Sequence, residues 1–299
     1  MQEKELEITG GSLYYENCGD SVTITRYNGF GAEAEVPGMI EELPVTVIGK
    51  KAFLSKKTLR KIILPDTVEE IGDWAFSYCD NLKEIFLPDR ELRLGRTVFM
   101  GCPKLEKIDF PGADDDIPFL LAAVVTNFEA YYLLNVKEAA GISEHGEWLE
   151  KWDARLAAVL HAPDGEGYSK QVLCGEEDYG STDYELFLNG KRKNKVRLAF
   201  LRLLHPIKLS ETLRSELENY LREHTKGCSS EETWQVVLAE HGYDRAYYSL
   251  FAELSCIAED NFQAIIGDIG EDKTEMKAYF MRWKEEQMEY TDFFDSLTL

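Results

Sequence analysis

Cys174-Gly175-Glu176-Glu177-Asp178-Tyr179-Gly180 is the stretch whose residue types come nearest to a reactive or ligating set. Three carboxylates between glycines offer the oxygen ligands that calcium takes. Their spacing is not the alternating D-x-D-x-D-G of a calcium loop, so the stretch reads as a solvated acidic loop or helix cap. Cys174 would need an adjacent base to act as a nucleophile, and no His or Asn stands beside it. The five histidines, His145, His161, His205, His224 and His241, are scattered and read as surface or cap residues. No G-x-S-x-G, H-E-x-x-H, G-x-G-x-x-G or P-loop pattern occurs. The six cysteines, Cys18, Cys79, Cys102, Cys174, Cys228 and Cys256, form no C-x-x-C, which argues against a zinc pattern or a disulfide framework. The expectation is a protein without catalytic residues, metal or cofactor. An enzyme housed in the C-terminal part stands as the alternative.

A second pattern is electrostatic. Lys191-Arg192-Lys193-Asn194-Lys195-Val196-Arg197 is a basic run in a chain of net charge −22. Val196, Ala199, Phe200, Leu203 and Leu204 form an apolar stripe on the same helix. The run reads as a basic solvated face that pairs with nearby acids, or as a contact for an acidic partner. Up to Gly112 the chain has 19 Asp and Glu against 14 Lys and Arg, and beyond it 36 against 19. Such acidity repels phosphate backbones, so nucleic acid is not the expected partner.

The elements that must position any site are set by a repeat. Ile48–Glu70 reads IGKKAFLSKKTLRKIILPDTVEE, Ile71–Arg93 reads IGDWAFSYCDNLKEIFLPDRELR, and Leu94–Asp116 reads LGRTVFMGCPKLEKIDFPGADDD. The period is 23 residues without a gap. Its columns include Ile48/Ile71/Leu94, Gly49/Gly72/Gly95, Phe53/Phe76/Phe99, Leu59/Leu82/Leu105 and Ile62/Ile85/Ile108, and a fixed period of this size marks a solenoid. Within a copy, alternation points Ile85 and Leu87 inward and Phe86 outward. Pro88 ends the strand, because it has no N–H for the ladder. Gly72 marks a bend where a side chain would obstruct the chain. No single copy can bury its apolar set, so stacked copies must share one core.

The middle copy follows I-G-x-x-A-F-x-x-C-x-x-L-x-x-I-x-L-P through Cys79, Leu82, Ile85, Leu87 and Pro88. At these residues the stretch of about 36–112 resembles the BspA-like, or Treponema pallidum-type, leucine-rich repeat family. The first copy departs at Lys56, where the family has Cys. The third departs at Val98 and Phe110. The resemblance implies a binding protein, often of a microbial surface, and no catalytic residue. A much weaker resemblance, to degenerate ankyrin-type helix pairs, attaches to Ala239–Asp244 and Glu275–Phe280, without the T-P-L-H signature.

The flanks follow from local chemistry. Leu13–Tyr15 and Val22–Tyr27 predict strands of an N-terminal β cap, with turns at Cys18-Gly19-Asp20 and Asn28-Gly29. Ala34-Glu35-Val36-Pro37 looks like a degenerate strand. After Pro111-Gly112 the columns stop. Asp116 and Pro118 predict a helix start, and the apolar run Phe119–Val125 predicts a helix that covers the solenoid end. Helices are expected at 117–139, 145–160, 182–204, 210–224, 230–241, 244–258 and 273–288, arranged as antiparallel pairs. The fold class is therefore α+β, in two domains: 1–112, a leucine-rich repeat solenoid with its β cap, and 113–299, an all-α domain. The N-terminus lacks the apolar core of a leader, and no apolar run is long enough to span a bilayer. The expected location is the cytoplasm, with no membrane insertion. It is the cell surface or the exterior if a leader has been removed.

The expected site is the outward row of the repeat strands. Lys61, Glu84 and Lys107 form one column, and Ile63, Phe86 and Asp109 form the next. Ile63 and Phe86 are apolar at positions that alternation turns away from the core, and such residues mark an interface. The function expected is non-catalytic binding of a protein at the concave strand face, with a surface adhesion module as a further alternative. The competing expectation is that the helical part folds over this face and buries it.

Overall fold

The computed structural model describes residues 3–141, 146–168 and 183–297, with side chains to residue 286. The stretch Cys174–Gly180 and His145 lie outside these. The chain divides into two compact units, Met1–Leu156 and Ala157–Leu299, so the end of the repeats at Gly112 falls inside the first.

The first unit opens with three antiparallel strands, β1 (Lys4–Ile8), β2 (Gly11–Cys18) and β3 (Ser21–Gly29). Gly19, at φ 70°, makes the tight turn between β2 and β3. The turn expected at Asn28-Gly29 does not form. The strand runs on through Gly29, which pairs with Gly11. A Cβ on Gly29 would run into the Tyr27 hydroxyl and the Gly10 carbonyl, so this glycine serves close backbone approach.

The solenoid follows from the 23-residue columns. One parallel ladder runs from β3 through β6 (Leu43–Ile48) and β8 (Glu70–Ile71) to β10 (Arg93–Leu94), aligning Ile24, Ile48, Ile71 and Leu94. The short strand β5 (Met39–Ile40) pairs with β6. The second sheet is parallel throughout, in the order β11 (Lys107–Asp109), β9 (Glu84–Phe86), β7 (Lys61–Ile63) and β4 (Glu33–Glu35). It stacks Ala34, Ile62, Ile85 and Ile108, as the column of isoleucines predicts. The three isoleucines are fully buried.

The return segment closes each turn. Phe53 N–H donates to the Ala75 carbonyl at 2.8 Å, and Phe76 N–H to that of Val98 at 3.0 Å. The rings of Tyr27, Phe53, Phe76 and Phe99 stack at centroid separations of 5.1, 5.2 and 5.5 Å. Such pairs add about 1 kcal/mol each beyond burial. Cys79 and Cys102 are free, buried thiols. They donate to the carbonyls of Phe53 and Phe76, each at 3.1 Å, so they tie successive turns as well as fill volume. Burial pushes the Cys79 thiol up to about 12 and the Cys102 thiol up to about 11, which keeps both protonated as donors. Gly72 behaves as expected, since a Cβ there would lie 2.7 Å from the Lys50 nitrogen of the preceding turn.

Helix α1 (Ile117–Thr126) packs on β11 and covers that end of the second sheet. It is shorter than the periodicity predicts. Asn127 ends it, and Glu129, left-handed at φ 51°, redirects the chain into a 3-10 turn at Tyr131–Leu133 and α2 (Val136–Ala140). Asp116 stands at the start of α1 without a side-chain capping bond, and Pro118 occupies the first turn. Helix α3 (Glu147–His161) anchors the unit through Trp148 Nε1–H to the Leu133 carbonyl and Trp152 Nε1–H to the Leu120 carbonyl.

The second unit is helical where described: α4 (Tyr184–Leu204), α5 (Glu211–Glu223), α6 (Glu232–Glu240), α7 (Arg245–Glu253), α8 (Glu259–Asp268) and α9 (Thr274–Leu297). The long α4 packs on α5, α6 and α7. Ser210 caps α5 by accepting from Leu213 N–H. The expected helix at 244–258 stops early, at Glu253, and α8 beyond it is a helix that the periodicity did not predict. Ser255, left-handed at φ 59°, breaks the chain there without a Gly or Pro, and Phe262 and Ile265 are then buried on a separate helix.

Candidate protein-binding face

The strands of the second sheet are three residues long. The middle residue of each is buried, so the two flanking side chains emerge together on the opposite face. Parallel register then lines them into two columns. One is Glu33, Lys61, Glu84 and Lys107, and the other is Glu35, Ile63, Phe86 and Asp109. All six expected site residues stand on this face. Ile63 and Phe86 are half-buried neighbours in the middle of the sheet, not fully exposed side chains. Beside them the Lys61 ammonium sits 5.2 Å from the Phe86 ring centroid.

The charges are ordered among themselves. Glu84 accepts from Lys61 Nζ at 2.8 Å and lies 3.9 Å from Lys107 Nζ. Lys107 also reaches Asp109 at 2.7 Å, while Asp109 accepts from Phe110 N–H. The bond to Glu84 holds the Lys61 pKa above the usual lysine range. Two cations and two anions therefore neutralise one another around the apolar pair. A partner that buries them removes a compensated set from water, not a lone charge.

Sequence reasoning missed three residues here. Glu33 and Glu35, both exposed, extend the columns at the β4 end, and Phe119 of α1 borders the face with Lys107 Nζ 5.8 Å from its ring centroid. The degenerate strand at Ala34 was the available signal for the first two, but it stands out of step with the 23-residue period. Phe119 lies beyond the last column.

The other candidates resolve differently. Most of the basic run is consumed within its own unit. Lys195 and Arg192 both pair with Asp164, at 2.7 and 2.8 Å, and Arg197 grips Glu240 through two hydrogen bonds of 2.7 Å. Lys195 is buried, so that part of the run is not a solvated face. Among the described residues no group of three or more His, Cys, Asp or Glu side chains could hold a metal ion. Among them, too, no helix is long and apolar enough to cross a membrane.

Comparison with known proteins places this geometry. The family model described as a BspA type leucine rich repeat region (6 copies) matches residues 42–121. Three solved structures are similar to part of the chain. A leucine rich repeat protein of T. pallidum is 35% identical with a TM-score of 0.32, covering 37% of this chain and 51% of its own. A leucine rich cell surface protein of Faecalibacterium prausnitzii A2-165 is 29% identical with a TM-score of 0.30, covering 35% of this chain and 30% of its own. A leucine-rich repeat protein of Bacteroides capillosus ATCC 29799 is 25% identical with a TM-score of 0.31, covering 38% of this chain and 91% of its own. The chain thus spans about half the length of the T. pallidum protein. A search of the curated proteins finds no match. With its repeat columns, its two parallel ladders and the family match in agreement, the stretch 42–121 is a BspA type leucine rich repeat region.

Proposed function

We propose that the chain is a non-catalytic binding protein whose partner is a protein that docks on the face of β4, β7, β9 and β11. Ile63 and Phe86 are the apolar anchors, and Lys61, Glu84, Lys107 and Asp109 orient the partner. The observation that carries this reading is the central apolar pair, half-buried and framed by charges that already compensate one another. Interface energy concentrates in a few desolvated apolar and aromatic side chains, while surrounding charges act more on orientation and on-rate. The leucine rich repeat region supports the same reading, since stacked strands of a solenoid form an extended binding surface. The net charge of −22 opposes a nucleic acid in this role.

The test is a paired capture from native lysate with the wild-type protein and Phe86→Ala as baits, followed by affinity measurement with the captured partner. Phe86→Ala is expected to weaken binding by about 2 kcal/mol. The melting temperature should shift little, because Phe86 lies off the core. Equal affinity, or early melting of the variant, would remove the face from consideration and move the search to the helical unit, beginning at Lys191–Arg197.

A further inference from the structure

The first parallel ladder ends at β10, and among the described residues no strand pairs with its outer edge. Each earlier rung is used by the next one. Arg93 N–H donates to the Glu69 carbonyl at 2.9 Å, and Gly95 N–H to the Ile71 carbonyl at 2.7 Å. The equivalent acceptors on the last rung are the carbonyls of Leu92 and Leu94, and no backbone N–H of the described residues donates to either. The chain itself could have supplied one more rung, since Ile117 follows Leu94 by one period, but Ile117 opens α1 instead.

The core is open at the same place. Val45 and Val68 are fully buried in successive turns, and the next residue of their column is the exposed Glu91. Leu92 and Leu94 are half-exposed, unlike the buried Ile48 and Ile71. A pocket of about 210 Å³ lies there, lined by Glu91, Leu92, Leu94, Tyr131, Leu134 and Val136. Tyr132, 74% exposed, stands at its rim. Unlike its neighbour Arg93, which pairs with Glu69 and Glu70, Glu91 has no cationic partner among the described residues.

We propose that the open edge of β10 takes an extended segment of a protein partner as a fifth parallel rung, a second binding site distinct from the face around Phe86. An extended peptide backbone meets the requirement of the edge, because it offers N–H donors two residues apart along one side. Register fixes the side chains. A basic residue stands opposite Glu91, an acidic residue opposite Arg93, and an aliphatic residue continues the column Ile48, Ile71, Leu94 into the pocket. A glycine follows, for the close approach seen at Gly49, Gly72 and Gly95. The segment recognised therefore reads basic-x-acidic-aliphatic-Gly.

The probe is a capped synthetic hexapeptide that copies residues 67–72 of this chain with lysine in place of Val68. Titrated into the full-length, isotope-labelled protein, it should shift the amide signals of Leu92–Gly95 and Tyr131–Val136. Glu91→Lys should weaken it by about tenfold or more, and exchanging the peptide lysine for glutamate should restore binding to that variant. Methylating the glycine nitrogen of the peptide, which removes the donor to the Leu94 carbonyl, should also weaken it by about tenfold. Phe86→Ala should leave the titration unchanged, which separates this site from the face around Phe86. Absence of shifts at millimolar peptide, shifts confined to Ile63 and Phe86, or indifference to both Glu91→Lys and the methyl group would overturn the proposal.

Discussion

Phe53, Phe76 and Phe99 recur every 23 residues and stack ring upon ring. Trp234, Phe251 and Phe280 also meet in a buried aromatic cluster, at centroid distances of 5.5, 6.2 and 6.4 Å, but at irregular intervals along the helical unit. Polar groups show the same contrast. In the repeats, charged side chains stay at the surface and pair between adjacent turns, as in Lys57–Asp80, Lys83–Glu106 and Arg96–Asp73. In the helical unit charges go inside. Arg202 is fully buried and donates to the carbonyls of His205 and Ile207, and Lys195 and Glu232 are nearly as enclosed. A solenoid needs only neighbour-to-neighbour agreement, so one column rule serves every turn. A helical bundle must close chain ends and loops individually, and each closure takes its own partner.

The strongest way to break this contrast is Phe76→Ala. It removes the middle ring of the stack, and the expected loss is about 3–5 kcal/mol. Accelerated hydrogen exchange at Ile62, Ile85 and Ile108 would report it, with the far-ultraviolet helical signal keeping its own transition. If the helical transition moves by the same amount, the repeats are not an independent neighbour-coupled array.

Asp164 tests the other side of the comparison. Burial pushes its carboxyl up, but the hydrogen bonds from Lys195 and Arg192 outweigh that and hold it below the usual carboxylate range. A lowered folded pKa contributes stability above the unfolded value of about 3.9, and that contribution is lost as pH falls through the folded value. Asp164→Asn strips the carboxylate from the buried Lys195 and should cost about 3 kcal/mol at neutral pH. The gap between wild type and variant should close below about pH 4. Urea unfolding at several pH values, followed by the helical signal, checks this. A gap that does not narrow on acidification would mean the ion pair is not what Asp164 supplies.

The smallest expected effect sharpens the repeat rule itself. Two columns of the return segment are left-handed: Lys51, Trp74 and Thr97 at φ 63°, 56° and 49°, and Ser55, Tyr78 and Gly101 at 59°, 59° and 70°. Only the last copy places glycine there, and it does so under the Tyr78 ring, which a Cβ on Gly101 would meet at 2.6 Å. Ser55→Gly relieves the left-handed penalty and adds chain entropy to the unfolded state, for a net gain of about 0.5 kcal/mol. A destabilised Ser55→Gly in denaturant titration would show that the hydroxymethyl group has a role beyond the bend.

The 23-residue columns were sufficient to determine that Ile62, Ile85 and Ile108 are buried, that their strands are parallel, and that Lys61, Ile63, Glu84, Phe86, Lys107 and Asp109 share one face. Each of these follows from a period that places equivalent residues one rung apart. The left-handed bends were invisible, because Lys51, Ser55, Trp74 and Tyr78 carry no turn chemistry and are held by the ladder around them. Glu33 and Glu35 join the face only through strand pairing across an offset that breaks the period. The break at Ser255 and the early end of α1 were likewise settled by packing, since local propensity runs on through both. Tertiary structure alone decided the open rung. Ile117 follows Leu94 by one period, yet it opens α1, whose apolar residues are buried in packing on β11, and among the described residues no strand pairs with the outer edge of β10.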